Sequence, residues 1–117
     1  MKTIIAGSRD FTDREVLNNV MEFVGTLSAN HFLQWGITEV LCGEAKGVDT
    51  LGKEWAQDHN IPVNTSGMAD ADMLVVIWNP AKSKGSATMF DYACQVGLPV
   101  VGYNYTQGSV HLFNINL

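Results

Sequence analysis

The chain has 117 residues, of which 46% are hydrophobic and 16% charged, with a net charge of −5. That length allows about one domain around one core, residues 1–117 as a single unit, and the composition is ordinary for a globular protein. The acidic balance disfavours a broad nucleic-acid surface, because a phosphate backbone demands clustered Lys and Arg.

No apolar run reaches the roughly 18 residues of a membrane span, and the start Met1-Lys2-Thr3-Ile4-Ile5-Ala6-Gly7 is too short for a signal-peptide core. A cytoplasmic protein without membrane contact is therefore expected. Cys42 and Cys94 are too few and too separated for a disulfide framework or a zinc site, and their apolar contexts predict two buried free thiols.

Residues 2–6 form a short β-rich run that ends at Gly7. From Asp13 onward the spacing of Val16, Val20, Phe23, Val24 and Leu27 predicts a helix, with Thr12 or Asp13 as its cap. Residues 39–42 read as a second strand, followed by a helix that places Leu51, Trp55 and His59 on one face. Residues 61–64 make a short third strand, which Pro62 confines to a sheet edge. The run Met73-Leu74-Val75-Val76-Ile77-Trp78 is continuously apolar, as a strand covered on both faces requires, so it belongs at the centre of the sheet. Residues 86–96 form the next helix, with Met89, Phe90, Ala93 and Val96 inward and Gly97 as its stop. A fifth strand spans 98–103, and the alternating tail 109–117 reads as an added edge strand or a subunit contact.

Strands alternating with helices demand right-handed crossovers, hence a doubly wound, mostly parallel α/β sheet with helices on both faces. In the order 3-2-1-4-5 the first and fourth strands are neighbours where the winding reverses, and ligands bind in the crevice outside their carboxyl ends.

Three glycine-bearing loops open onto that edge: Gly7-Ser8-Arg9-Asp10, then Gly43-Glu44-Ala45-Lys46-Gly47-Val48-Asp49-Thr50, then Lys82-Ser83-Lys84-Gly85-Ser86-Ala87-Thr88. Each follows a strand and precedes a helix, whose free N–H groups and positive dipole end favour an anion. Of the seven Lys and Arg residues, Arg9, Lys46, Lys82 and Lys84 lie in these loops, which suits a compact anion better than a polymer. Arg9 is placed to grip a phosphate or carboxylate by paired hydrogen bonds, the alternative being a surface pair with Asp10 or Asp13. Ser8 and Ser86 can donate hydroxyls to phosphate or cap helices. Gly43, Gly47 and Gly85 are turn glycines that also allow close backbone approach to a ligand. Asp49 either accepts from ribose hydroxyls or caps the second helix, with Thr50 beginning it. Lys84 brings a mobile positive charge. Trp78 and Phe11 offer aromatic faces for a base or for the core. His31, His59 and His111 have no metal-site spacing, so neither a metal nor a cofactor is expected, and no histidine lies near Ser8 or Ser86 to complete a nucleophilic triad.

The G-S-R-D-F start, the segment Cys42-Gly43-Glu44-Ala45-Lys46-Gly47-Val48-Asp49-Thr50-Leu51 and the stretch from Ile77-Trp78-Asn79 through Ser83-Lys84-Gly85-Ser86 resemble the SLOG superfamily of Rossmann-like domains, over residues 2–103. Within it the chain resembles the small bacterial and phage proteins with a GSR start. The resemblance implies a pocket for nucleotides or nucleotide-derived ligands, formed here by Gly7, Ser8, Arg9, Gly43, Ala45, Lys46, Gly47, Asp49, Thr50, Lys84, Gly85 and Ser86. Some relatives are sensors in bacterial conflict systems, the DNA-processing protein A branch binds single-stranded DNA, and the "lonely guy" branch hydrolyses nucleoside monophosphates to a base and ribose 5-phosphate. In those hydrolases a glutamate of the last loop assists cleavage, and the position that aligns with it here is Met89, which cannot transfer a proton. Glu44 is the remaining candidate for a general base. The segment between strands 3 and 4 is also shorter than in close relatives, where it lends an arginine, so a more open pocket is expected.

The expected protein thus binds a nucleotide-derived small molecule as sensor or sequestering protein, and a phage protein that sequesters a host immune signal fits this pattern. A phosphoribohydrolase or related nucleotide hydrolase is the alternative. The sheet edges and the apolar tail suggest a homodimer or higher homo-oligomer.

Overall fold

The computed structural model describes residues 1–29, 37–43, 46–65, 70–79 and 84–114, the side chains of 27–29, 84 and 85 excepted. Among these, the elements run β1 (Lys2–Gly7), α1 (Arg14–Ala29), β2 (Glu39–Leu41), α2 (Val48–Asp58), β3 (Val63–Asn64), β4 (Met73–Trp78), α3 (Lys84–Val96), β5 (Val100–Asn104) and β6 (Ser109–Phe113). The strands form one sheet in the order β3-β2-β1-β4-β5-β6, parallel throughout except for β6, which runs antiparallel to β5. This is the α/β Rossmann-like arrangement, with the winding reversed between β1 and β4.

The period-two alternation of the strands divides the core in two. Ile5, Val40, Met73, Val75 and Val101 point to one face, where they pack against Leu17, Val20, Met21 and Val24 of α1 and Leu51 and Ala56 of α2. Ile4, Leu41, Leu74, Val76 and Val100 point to the other, against Ala93, Met89 and Phe90 of α3. β4 is central as expected: every residue from Met73 to Ile77 has 0% exposure.

The α1 stripe is set by Leu17, Val20, Met21 and Val24, at i, i+3, i+4 and i+7, while Val16 and Phe23 flank it half-buried. Asp13 caps this helix, its Oδ1 accepting from Val16 N–H at 3.2 Å. On α2, Gly52 permits close approach to β1: a Cβ there would sit 2.7 Å from Ile5 Cγ2. His59 does not join the inner face as the spacing suggested. It is exposed at the helix end, with Nδ1 bonded to the Trp55 carbonyl at 2.8 Å and its ring stacked on Trp55 at 4.5 Å.

α3 begins two residues earlier than expected, at Lys84, and closes at Gly97 with φ of 79°. Its sheet-facing positions go to Phe90 and Ala93, which leaves Cys94 and Val96 on the outside. Cys94 is therefore exposed, contrary to the expectation of two buried thiols, while Cys42 is buried. The alternating tail supplies the edge strand β6, and residues 115–117 lie outside the described set. Among the described residues, no helix is long and apolar enough to cross a membrane.

Among the described residues, one buried side-chain polar atom lacks a partner. Thr3 is 0% exposed on β1 and its Oγ1 makes no hydrogen bond. A buried hydroxyl without a partner forfeits its hydration for nothing. The near-isosteric change Thr3→Val is expected to raise the unfolding free energy by about 1 kcal/mol, measured by urea denaturation.

Candidate functional site

The loops after β1, β2 and β4 meet at Ser8. Gly7 makes this geometry accessible, because a Cβ there would fall 2.7 Å from Val48 Cγ2 and 2.9 Å from the Ile77 carbonyl carbon. With Gly7 tight against β4, the Ser8 N–H donates to the Ile77 carbonyl at 3.0 Å. The Ser8 carbonyl accepts from Val48 N–H of α2 at 3.2 Å, and the Ser8 Oγ accepts from Asn79 N–H at 3.2 Å. Ser8 is 4% exposed, so these bonds are shielded from water. Gly47 completes the contact: its φ is 78°, and a Cβ there would lie 2.6 Å from the Arg9 carbonyl carbon. Gly7 therefore serves the close approach to β4 and α2, and Gly47 that of one loop to another.

Around this junction the charges are partitioned. Arg9 is exposed and forms no ion pair with a described residue. The alternative pairing with Asp10 or Asp13 is not made, since Asp10 Oδ1 accepts from the Tyr105 hydroxyl at 3.3 Å and Asp13 caps α1. Arg14 is taken by Glu54, at 2.7 Å.

The three helix starts differ in what they offer an anion. The first turn of α1 is occupied by the Asp13 carboxylate. At α2 the first amide, Val48 N–H, is spent on Ser8. The helix begins there rather than at Thr50, with Gly47 as its cap residue, so Asp49 lies within the first turn and is not the cap. The Asp49 carboxylate instead faces Gly43, whose Cβ would stand 2.8 Å from Oδ2. Thr50 and Lys46 are exposed beside it. α3 has no acidic residue in its first turn, which holds Lys84, Gly85 and the buried Ser86. The side chain of Lys84 and the surroundings of Gly85 are outside the described set, as are Glu44, Ala45 and Lys82 altogether.

The two aromatic candidates belong to the core. Phe11 is 6% exposed, and Trp78 is half-buried against Phe90, with centroids 5.3 Å apart. Met89 packs into the α3-side core. Burial and the neighbouring Asp49 push the Cys42 thiol up from its ordinary value, Lys53 opposing.

Sequence reasoning missed a fourth contributor, the turn after β5. Tyr105 reaches from this turn to Asp10 and packs its ring on Phe11, with centroids 5.2 Å apart. A signal was present, since a parallel fifth strand ends at the same sheet edge as β1, β2 and β4. Elsewhere, a shallow groove of about 570 Å³ runs between α1 and α2, over Met21 and Trp55. Its charged groups include Glu22 and Asp58, the wrong sign for an anion.

A model of the YspA, cpYpsA-related SLOG family matches residues 1–73. The chain belongs to that family. Membership suggests a nucleotide-related function, and the matched segment carries the first two loops together with β1, β2 and β3. The third loop and Tyr105 lie beyond the match. Neither the curated proteins nor the solved structures yielded a match.

Two outcomes check this geometry. Gly47 and Gly97 share a positive φ, but a Cβ at Gly97 meets nothing within 4 Å. Gly97→Ala should cost about 1 kcal/mol from backbone strain alone, and Gly47→Ala at least about 2 kcal/mol more, by chemical denaturation. For Cys42, the raised thiol value means the folded state keeps its proton longer than the unfolded chain does. The stability this contributes is complete below the ordinary thiol range and is lost as pH rises through the higher folded value. Native protein at pH 8 should accordingly expose one thiol to an aromatic disulfide reagent, Cys94, and Cys42 should react only on unfolding.

Proposed function

We propose that the loops after β1, β2 and β4 bind a nucleotide or nucleotide-derived signalling ligand, and that the protein acts in the cytoplasm as a sensor or sequestering protein. The observation that carries this reading is the junction at Ser8, which gathers the three loops at the β1/β4 switch point, where doubly wound sheets take their ligands. Arg9 is exposed beside that junction without a described ionic partner, and α3 starts there free of acidic residues. In this reading a phosphate sits on the first-turn amides of α3, with Arg9 and Lys84 neutralising it. Asp49, in the first turn of the neighbouring α2, is suited to the hydroxyls of a ribose.

The packing of Met89 into the core supports binding over hydrolysis, because the hydrolase position then offers the pocket no proton-transfer group. The test is a thermal-shift series with AMP, ADP, cyclic nucleotides, ADP-ribose and NAD, each mixture then checked by chromatography for turnover. A ligand at a hundredfold excess over its dissociation constant adds about 2.7 kcal/mol, a rise in Tm on the order of 10 °C. Arg9→Ala and Lys84→Ala should each weaken binding about tenfold or more while changing stability by less than about 0.5 kcal/mol. Absence of any shift overturns the reading, and release of a free base or a sugar phosphate replaces it with the phosphoribohydrolase.

A further inference from the structure

Tyr105 spans the crevice between the two halves of the sheet. Its main-chain N–H donates to the Trp78 carbonyl, at the carboxyl end of β4, at 3.4 Å. Its side chain passes β4 and reaches the loop after β1, where the hydroxyl donates to Asp10 Oδ1 at 3.3 Å. The ring meets Phe11 at 48° between planes, and Phe11 is itself 6% exposed, so the ring rests on a fixed floor. The turn that carries it is braced as well. Asn104 Oδ1 accepts from Thr106 N–H at 3.0 Å and from Thr106 Oγ1 at 2.6 Å, and Gly108 N–H returns to the Asn104 carbonyl at 2.8 Å. Such a turn is a rigid base rather than a loose tip.

We propose that Tyr105 is a positioning residue of the ligand site: it holds the loop of residues 7–10 from the β5 side, and so presents Arg9 to the ligand. This rests on the nucleotide-binding reading above. Ser8 anchors that loop from below through β4 and α2, whereas Asp10, two residues on, is exposed and is held on its outer side by Tyr105. Arg9 lies between the two anchors. Freeing the outer one makes the ligand order the loop at its own expense, which weakens binding without unfolding the protein.

The experiment is isothermal titration of AMP and of ADP-ribose into full-length wild type, Tyr105→Phe, Asp10→Ala and the double variant, with Tm recorded for each. Tyr105→Phe keeps the ring on Phe11 and removes only the hydroxyl. It is expected to raise Kd about fivefold with Tm within about 2 °C of wild type. In the Asp10→Ala background the same change should have no further effect, because the interaction it removes is already absent. In an Asp10→Asn background, where a carbonyl acceptor remains, the sensitivity to Tyr105→Phe should return. A wild-type Kd for Tyr105→Phe, or effects of Tyr105→Phe and Asp10→Ala that simply multiply, overturns the inference while leaving the nucleotide reading intact. Failure of wild type to bind either probe removes both.

Discussion

The contact between Gly7 and the Ile77 carbonyl is the constraint on which the rest of the edge depends. β1 and β4 are in register there, Gly7 opposite Ile77, and the next residue donates its N–H back to that same carbonyl at 3.0 Å. Any side chain at Gly7 would force the two strands apart where they end. Because the strands stay together, Ser8 is carried into a position that touches both the start of α2 and the start of the loop after β4. Hydrogen bonds in so dry a setting are costly to break, since the freed groups find no water. The glycines at this edge thus have a demand of their own to meet, the closeness of protein to protein, before any ligand is considered.

The disposition of charge follows from that packing. Acidic residues outnumber basic ones by 12 to 7, so a cation near the loops has many carboxylates within range. Among the described residues, several of these carboxylates have a task of their own. Asp13 closes α1, Asp10 meets Tyr105, Asp49 turns toward Gly43 and Glu54 takes Arg14. Net acidity and a local preference for anions are compatible when the carboxylates are spoken for in this way.

Much of this was readable from the chain. The unbroken apolar run of β4 announced its central place, and Pro62 announced that β3 would be an edge, because those patterns report burial on two faces and a missing donor. The three loops and the strand order followed from the alternation of elements. The features that escaped are those set by contacts between distant segments. Nothing in the neighbourhood of Cys94 tells that Phe90 and Ala93 will take the sheet-facing positions and leave the thiol outside. Asp49 reads as a ribose acceptor or as a cap with Thr50 beginning the helix, and the left-handed Gly47 against Arg9 starts the helix at Val48 and so removes the cap reading. Tyr105 lies 95 positions from Asp10, so their hydrogen bond has no local signature. The sequence motifs locate the edge, and only the folded sheet says which side chains cross it.

The junction at Ser8 also has a consequence for the order of events during synthesis. Its distant partners include residues 48, 77 and 79, so the last of these is added only once two thirds of the chain has been made. Chains emerge at about 5–20 residues per second and their early segments begin to organise at once. A nascent chain that has exposed only the family-matched residues 1–73 holds β1, β2 and β3 but not the strand that Gly7 is shaped to meet. The family-matched segment therefore waits, with its loop after β1 short of its β4 anchor, for β4 to slide in beside it.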